Sequence, residues 1–416
     1  MTYLALDLAF LAAAGGIAVV LAASRKARRP ATMPLLAAAA ALLVLTAVFD
    51  NLMIAAGLFS YAPESLTGTA VGLAPVEDFG YPLAAAVLVP ALWTRLRGRE
   101  GFLRALLVSS RPVSWVNTAY PFAAAYLLAG GGVDWRLAVG TLFFLVPYNL
   151  AMYGTNDVFD YASDVLNPRK GGAEGAVLPP PLHRPALWAA WGGCVPFVAL
   201  LVLGGGPASW AVLAVSLFAV AAYSVPGLRF KERAVLDSAT SSTHFVSPAV
   251  YGLALAGTGL TPAAVAILGA FFLWGMASHA FGAVQDIGPD REAGIGSVAT
   301  LVGARATVRS AVLGYLAAGA LVAASGFMPG AAFMGTGEPM PVGASTAAAA
   351  GAGTGPAPGL LAGLLALPYA VNAAVFWGVT DDDAARTRAG WRRFLWLNYA
   401  TGFAVTLLLI WIWMEQ

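Results

Sequence analysis

Apolar runs of about 20 residues recur along the whole chain, each able to cross about 30 Å of hydrocarbon as a helix. They predict twelve spans, over residues 3–23, 35–57, 79–96, 113–130, 137–154, 185–203, 208–223, 241–257, 262–282, 306–325, 359–378 and 393–413. The span at 241–257 starts on polar residues and is the weakest of the set. The pattern predicts an all-α polytopic membrane protein with about 12 transmembrane helices. Three spans precede the basic, span-free stretch 97–111 and nine follow it. One domain is therefore expected over 1–97, a linker over 98–111 and a second domain over 112–416. Within the second, residues 326–358 are rich in Gly, Ala, Pro and Ser and read as a flexible outer loop.

Charge sharpens this picture. The 416 residues are 59% hydrophobic and 11% charged, against about 25% charged in soluble domains. A net charge of +2 offers no basic field for nucleic acid, and the single Cys194 forms no internal bridge. Of 23 Lys and Arg residues, all but Arg136 fall in alternate loops. The positive-inside rule then places both termini outside a plasma membrane and the basic loops in the cytoplasm. The first span is followed, not preceded, by Arg25, Lys26, Arg28 and Arg29, so it reads as an anchor and not as a cleaved leader.

Few acidic residues remain, and they cluster. Asn156-Asp157-Val-Phe-Asp160-Tyr-Ala-Ser-Asp164 closes the fifth span. On a continuous helix its three Asp residues project within roughly 60° of one another. Such a stripe repels itself unless a cation lies among the carboxylates, and hard oxygen ligands suit Mg²⁺ bridging protein to phosphate. Asp286 and Asp290 close the ninth span, with Gly288 and Pro289 expected to interrupt the helix between them. Basic loops carrying Arg169, Lys170, Arg229 and Lys231 lie on the same side, which completes a diphosphate site. Tyr148, Tyr153, Phe159 and Phe281 are candidate aromatic walls for a carbocation, each with core packing as its plainer role. The run Asp381–Asp383 reads as a solvated loop beside arginines.

Asn156-Asp157-x-x-Asp160-x-x-x-Asp164 and Asp286-x-x-x-Asp290, on nine spans, resemble the two Asp-rich motifs of the UbiA family of membrane prenyltransferases. The resemblance covers roughly residues 105–416. It implies Mg²⁺-dependent prenyl transfer from a prenyl diphosphate, with metal at Asp157, Asp160, Asp164, Asp286 and Asp290. Asn156, Arg169, Lys170 and Arg229 are then diphosphate contacts. Tyr223 and Lys231 resemble the family's Tyr/Lys pair near the diphosphate, at a longer spacing, and the resemblance makes them diphosphate contacts too. The stretches 156–175, Leu228–Arg233 and Leu236–Phe245 are similar to the lycopene elongase branch. That similarity implies addition of C5 units from dimethylallyl diphosphate to the ends of lycopene, giving elongated, C50 carotenoids. The tertiary cation so formed needs a base or a water, for which His279, about 10 Å deeper than Asp286, and His244 are candidates.

The first three spans carry a second set of carboxylates. Asp50 lies inside the second span, where an uncompensated charge costs at least about 2.5 kcal/mol. Glu77 and Asp78 open the third after Pro75. Carboxyls in apolar surroundings have raised pKa values and serve as proton donors. Pro75-x-Glu77-Asp78, with Phe49-Asp-Asn-Leu-Met, resembles the small-subunit carotenoid cyclases of actinobacteria. The resemblance implies proton-initiated ring closure by Glu77 or Asp78, and a second cyclase subunit as partner, since that family uses two such three-span halves. The Asp-rich motifs are expected at the inner membrane face and Glu77 and Asp78 towards the outer one, giving two separate sites. Rival readings are a prenyltransferase for a quinone precursor beside a structural N-terminal domain, and a transporter. Carboxylates gathered at one face, with no inverted repeat, argue against conduction.

Overall fold

The computed structural model describes residues 3–22, 32–58, 60–61, 63–97, 101–165, 176–292, 294–329 and 356–414. They divide into two compact units, residues 1–105 and 106–416. Helices overlie all twelve predicted spans, and nine candidates among the described residues are long and apolar enough to cross a membrane. The helices at 80–97, 116–128 and 236–256 fall outside those nine.

The first unit contains α1 (Tyr3–Ala22), α2 (Thr32–Ala55) and α3 (Gly80–Arg97), with α1 and α2 both packed on α3. Val19, Val20, Leu36 and Val44 stay exposed, as helices facing lipid require. Between α2 and α3 runs a two-stranded hairpin, Ala70–Val71 with Ala74–Pro75. Asn51 of α2 pins it: its Nδ2 donates to the Val71 carbonyl at 2.8 Å, and its Oδ1 accepts from the Leu73 amide. Gly72 has φ +69°, and a Cβ there would sit 2.2 Å from Asn51 Oδ1, so only glycine closes this turn. Pro75 then starts a 3₁₀ turn, Val76–Phe79, that delivers Glu77 and Asp78 to the head of α3.

The helix α4 (Phe102–Ser109) runs from the first unit into the second. The second unit continues with α5 (Val116–Leu128), α6 (Trp135–Leu145), α7 (Pro147–Phe159), α8 (Tyr161–Asp164), α9 (His183–Gly204), α10 (Pro207–Ser224) and α11 (Leu236–Ala256). It ends with α12 (Pro262–Val284), α13 (Ile287–Glu292), α14 (Val298–Val302), α15 (Ala304–Ser325), α16 (Ala357–Leu364), α17 (Leu367–Ala374) and α18 (Arg388–Met414). Two apolar cores hold it. One surrounds Phe122, Phe144, Tyr148 and Tyr251, and the other Phe281, Tyr315 and Tyr369. Tyr148 and Phe281 are thus core side chains, packed in place and not walls of an open site.

The fifth predicted span is two helices, because Pro147 lacks an N–H and its ring collides with the preceding turn. Buried Asn149 compensates, its Nδ2 donating to the carbonyls of Phe144 at 2.7 Å and Leu145 at 3.1 Å. Small residues let other helices meet closely, as van der Waals packing in lipid demands. A Cβ on Gly319 of α15 would lie 2.7 Å from the Gly363 carbonyl of α16, and one on Gly359 would lie 2.9 Å from Gly326 Cα.

Candidate functional site

The first Asp-rich segment is not one unbroken helix. α7 stops at Phe159, Asp160 takes φ −100° and ψ 1°, and α8 resumes for a single turn to Asp164. The turn still closes, the Asp164 amide donating to the Asp160 carbonyl at 2.8 Å. The second segment is interrupted as expected, though slightly earlier. α12 ends at Val284 and Asp286 lies in the turn beyond it, while Gly288 and Pro289 fall in the first turn of the separate α13, and the Asp290 amide donates to the Asp286 carbonyl at 2.8 Å. Pro289 is tolerated because a first-turn residue has no intrahelical N–H bond to lose. Asp286 and Asp290 are one helical turn apart.

Asp157 is fully buried and ringed by donors. Arg111 Nη2 reaches its Oδ1 at 3.1 Å, while Ser109 Oγ at 3.0 Å and the Ala176 amide at 3.1 Å donate to Oδ2. The Arg111 guanidinium also lies 4.2 Å from the centre of the Tyr153 ring. Burial opposes the Arg111 charge, yet the Asp157 carboxylate outweighs it and holds the guanidinium above its ordinary pKa. Ser109 and Arg111, in the stretch expected as linker, therefore belong to this site.

Asp160 pairs with Lys231 and lies 3.8 Å from Arg229 Nη2, while Asn156 Nδ2 donates to its Oδ2 at 2.8 Å and to Ser224 Oγ at 3.2 Å. Arg229 also pairs with Glu232. Burial pushes the Lys231 ammonium down to about 8, against the opposing charges of Glu232, Asp290 and Asp157. Lys231 thus feels carboxylates of both Asp-rich segments. Asp164 is buried, whereas Asp286 and Asp290 are half-buried. Arg169 and Lys170 lie outside the described residues.

Backbone strain gathers at the same place. Among the described residues the non-glycine positions with positive φ are Arg111 (49°), Arg229 (40°) and Val235 (75°). Left-handed backbone costs an L-residue roughly 1–2 kcal/mol, so two strained arginines facing two adjacent carboxylates are held by their surroundings.

Tyr223 does not point to Lys231. Its hydroxyl is 3.1 Å from His279 Nε2, and His279 Nδ1 is 3.2 Å from Ser238 Oγ. His244 stands edge-on to Tyr223, ring centroids 5.4 Å apart. Asp381 is more than a solvated charge: it accepts from the Ala304 amide at 2.7 Å and pairs with Arg291 at 2.7 Å.

In the first unit, Glu77 is 4% exposed and its Oε1 accepts from the Thr67 amide at 2.7 Å, while Oε2 has no partner. Asp78 Oδ1 accepts from the Tyr61 hydroxyl at 2.6 Å, and its carboxyl lies in hydrogen-bond reach of Asp50. Asp7 of α1 is buried against Gly80, where a Cβ would meet its carboxylate at 2.9–3.1 Å. The two motif acids part company. Burial raises the Asp78 carboxyl, with the Glu77 charge adding, and the Tyr61 hydroxyl only partly offsets this. Burial acts on Glu77 too, but the hydrogen bonds it accepts from the Thr67 amide overcome it and hold the group below its ordinary value. The surroundings of the two motif acids thus push their carboxyls in opposite directions.

Reasoning from the sequence missed Asp7, Arg111 and Ser109. A lone carboxylate in an apolar run was a signal available for Asp7, as it was for Asp50. Nothing local marked Arg111, 46 residues from its partner.

All five carboxylates of the two segments are hard oxygen donors. Among the described residues no three His, Cys, Asp or Glu side chains group closely enough to hold a metal by themselves. A magnesium ion needs only one or two carboxylates when substrate phosphates and water complete its shell, so the donor set fits that ion.

The UbiA prenyltransferase family model matches residues 118–399. The chain is 46% identical over 411 residues to the C(50) beta-cyclic carotenoids biosynthesis protein LbtBC of Dietzia sp., covering 89% of this chain and 88% of that one. It is 47% identical over 308 residues to a lycopene elongase/hydratase of Corynebacterium glutamicum, covering 74% of this chain and 97% of the relative. A UbiA homologue from Aeropyrum pernix K1, solved without ligand, shares the fold, with a TM-score of 0.50 at 17% identity over 71% of this chain and 98% of that chain. With Asp157 and Asp160 held by basic side chains in a helical bundle, a family model over most of that bundle and relatives at 46–47% identity establish that this chain belongs to the UbiA prenyltransferase family.

Proposed function

We propose that this membrane prenyltransferase transfers dimethylallyl groups from dimethylallyl diphosphate to the ends of lycopene, giving elongated, C50 carotenoids. The observation that carries the reading is the gathering of Lys231 and Arg229 on Asp160, beside the buried Arg111–Asp157 pair, which puts carboxylates and fixed cations at one place in the bundle. The names of the relatives supply the acceptor class.

Asp157, Asp160, Asp164, Asp286 and Asp290 would hold Mg²⁺, which when bound neutralises diphosphate charge as a Lewis acid. Lys231, Arg229 and Arg111 add fixed positive charge where the diphosphate leaves, and their placement before the reaction avoids reorganisation during it. Asn156 orients the Asp160 carboxylate. The allylic C–O bond then breaks with its electron pair on the diphosphate. The apolar bundle excludes water until the terminal double bond of lycopene attacks the allylic carbon.

The first unit contributes to cyclisation of the elongated end, together with a second cyclase subunit. Asp78 is the proton donor, because burial keeps it protonated to higher pH. Glu77, already ionised, suits the acceptor role, and Asp7 and Asp50 support the pair. The match to the Dietzia protein covers 89% of the chain, more than residues 106–416 contain. The enzyme lies in the plasma membrane with the prenyl-transfer site on the cytoplasmic side and both termini outside.

The test is expression in a lycopene-accumulating host with mass analysis of the pigments. Masses raised by one and two C5 units are expected. An unchanged lycopene pool overturns the elongase reading, and prenylation of a quinone precursor by the same membranes establishes the rival one.

A further inference from the structure

We propose that Tyr223 and His279 form the proton acceptor that ends prenyl transfer, taking a proton from the tertiary carbocation so that the elongated end leaves as an alkene. This rests on the elongase reading above and adds to it the fate of the cation.

The argument begins with polar groups that the diphosphate chemistry leaves unused. Tyr223 closes α10, His279 sits in the last turns of α12, and Ser238 opens α11. α11 packs against both α10 and α12. Their side chains make one chain of contacts, Tyr223 Oη to His279 Nε2 at 3.1 Å and His279 Nδ1 to Ser238 Oγ at 3.2 Å. Tyr223 and His279 are half-buried, whereas their neighbours Ser224, Ser278 and Ala280 are buried, so the pair retains surface that a small molecule can reach. His244 stands beside Tyr223, 2% exposed with both ring nitrogens unpartnered. Buried polar groups without partners are rare in folded proteins and mark functional positions. Asp237, fully buried with its oxygens held by the Ser238 and Val298 amides, brings a negative charge to the same end of α11.

The depth suits the chemistry. His279 lies about 7–8 Å of helix rise before the end of α12, and Asp286 lies in the turn just beyond that end. That is the scale separating a leaving diphosphate from the far side of a newly formed C5 adduct. In the tautomer that carries the proton on Nδ1, Nδ1–H donates to Ser238 Oγ and the Nε2 lone pair accepts from the Tyr223 hydroxyl.

The step balances without an added reagent. The C–O bond of dimethylallyl diphosphate breaks and its pair departs with the diphosphate. The π pair of the terminal lycopene double bond forms the new C–C bond and leaves a tertiary cation. A C–H bond on an adjacent methyl breaks, its pair becomes the new C=C bond, and the proton passes to Tyr223 Oη as the phenolic proton moves to Nε2. An alkene is also the substrate that proton-initiated ring closure requires, since protonation of its terminal carbon regenerates the tertiary cation.

The experiment uses the full chain in lipid nanodiscs with lycopene, dimethylallyl diphosphate and MgCl₂. It reads the ratio of unsaturated to hydroxylated elongated product, and in parallel the binding of radiolabelled dimethylallyl diphosphate. His279→Gln and Tyr223→Phe are expected to lower unsaturated product about 100-fold and raise the hydroxylated fraction, with diphosphate binding as in the wild type. Wild-type ratios and rates in both variants overturn the proposal. Loss of diphosphate binding also overturns it, because the pair then serves the diphosphate. A wild-type chain that binds the diphosphate but leaves lycopene unchanged overturns the elongase reading together with this one.

Discussion

Arg111 and Asp157 offer the sharpest test of how the site is held together. The pair is 3.1 Å apart, with Asp157 fully buried and the Arg111 side chain 20% exposed. Removing one partner of a buried pair costs about 3–5 kcal/mol, most of it from stranding the other charge. Asp157 keeps two donors, Ser109 and the Ala176 amide, which places Arg111→Ala at the lower end of that range. Loss of the guanidinium over Tyr153 adds about 0.5–1 kcal/mol. Arg111 has φ 49°, so Arg111→Gly relieves backbone strain that Ala retains and should recover about 1 kcal/mol relative to Arg111→Ala. Thermal unfolding of detergent-solubilised protein measures all three quantities. In a double-mutant cycle, Asp157→Asn added to Arg111→Ala should restore part of the loss. Additive effects of the two single changes, or an Arg111→Ala protein within about 0.5 kcal/mol of wild type, would refute the account.

Lys231→Met should nearly abolish prenyl transfer in membranes while thermal stability changes little, because Asp160 retains Arg229 and Asn156. Dimethylallyl diphosphate with MgCl₂ at about 100 times its Kd should stabilise the wild type by about 2.7 kcal/mol, and Asp290→Asn should lose most of that gain in the same thermal scan. Asp381 is held below its usual carboxylate range first by the Ala304 amide and then by Arg291. Its contribution is therefore present above the unfolded value and lost as pH falls through the lower folded value. Asp381→Ala should cost about 1 kcal/mol at neutral pH and nothing further in acid, read as unfolding temperature against pH. Cyclisation of elongated carotenoid, assayed with a partner cyclase subunit, needs protonated Asp78, whose pKa is raised. It should persist above the ordinary carboxylate range, decline as pH rises, and disappear in Asp78→Asn.

Hydrophobic runs made the helices legible, since a span must satisfy its backbone internally whatever it packs against. The Asp-rich segments were legible for a related reason: carboxylates near hydrocarbon are rare unless something compensates them. What compensates them was not. Arg111 counted in the sequence only as one of many basic residues, and its meeting with Asp157 is a tertiary fact. The Tyr223–His279–Ser238 chain joins three helices across 56 and 41 residues, and no local spacing announces it. Gly288–Pro289 marked the interruption but not its place: the helix stops at Val284, because Pro289 fits only in the first turn of a new helix, where no intrahelical bond is lost. The different states of Glu77 and Asp78 depended on which neighbour faced each carboxyl, the Thr67 amide or the Tyr61 hydroxyl.

The glycine contact between α15 and α16 bears on how this chain tolerates change. Gly326 and Gly359 bring the backbones on either side of residues 330–355 into van der Waals contact. The two ends of that stretch are thus clasped by the bundle itself, and the bundle does not depend on how much chain lies between them. Lengthening a connection between two such fixed ends costs only about 0.6 kcal/mol for each doubling of its length. A fluorescent reporter or an affinity tag inserted between those ends is therefore expected to leave both Asp-rich segments undisturbed. A β-carbon on Gly359, by contrast, would unfasten the clasp.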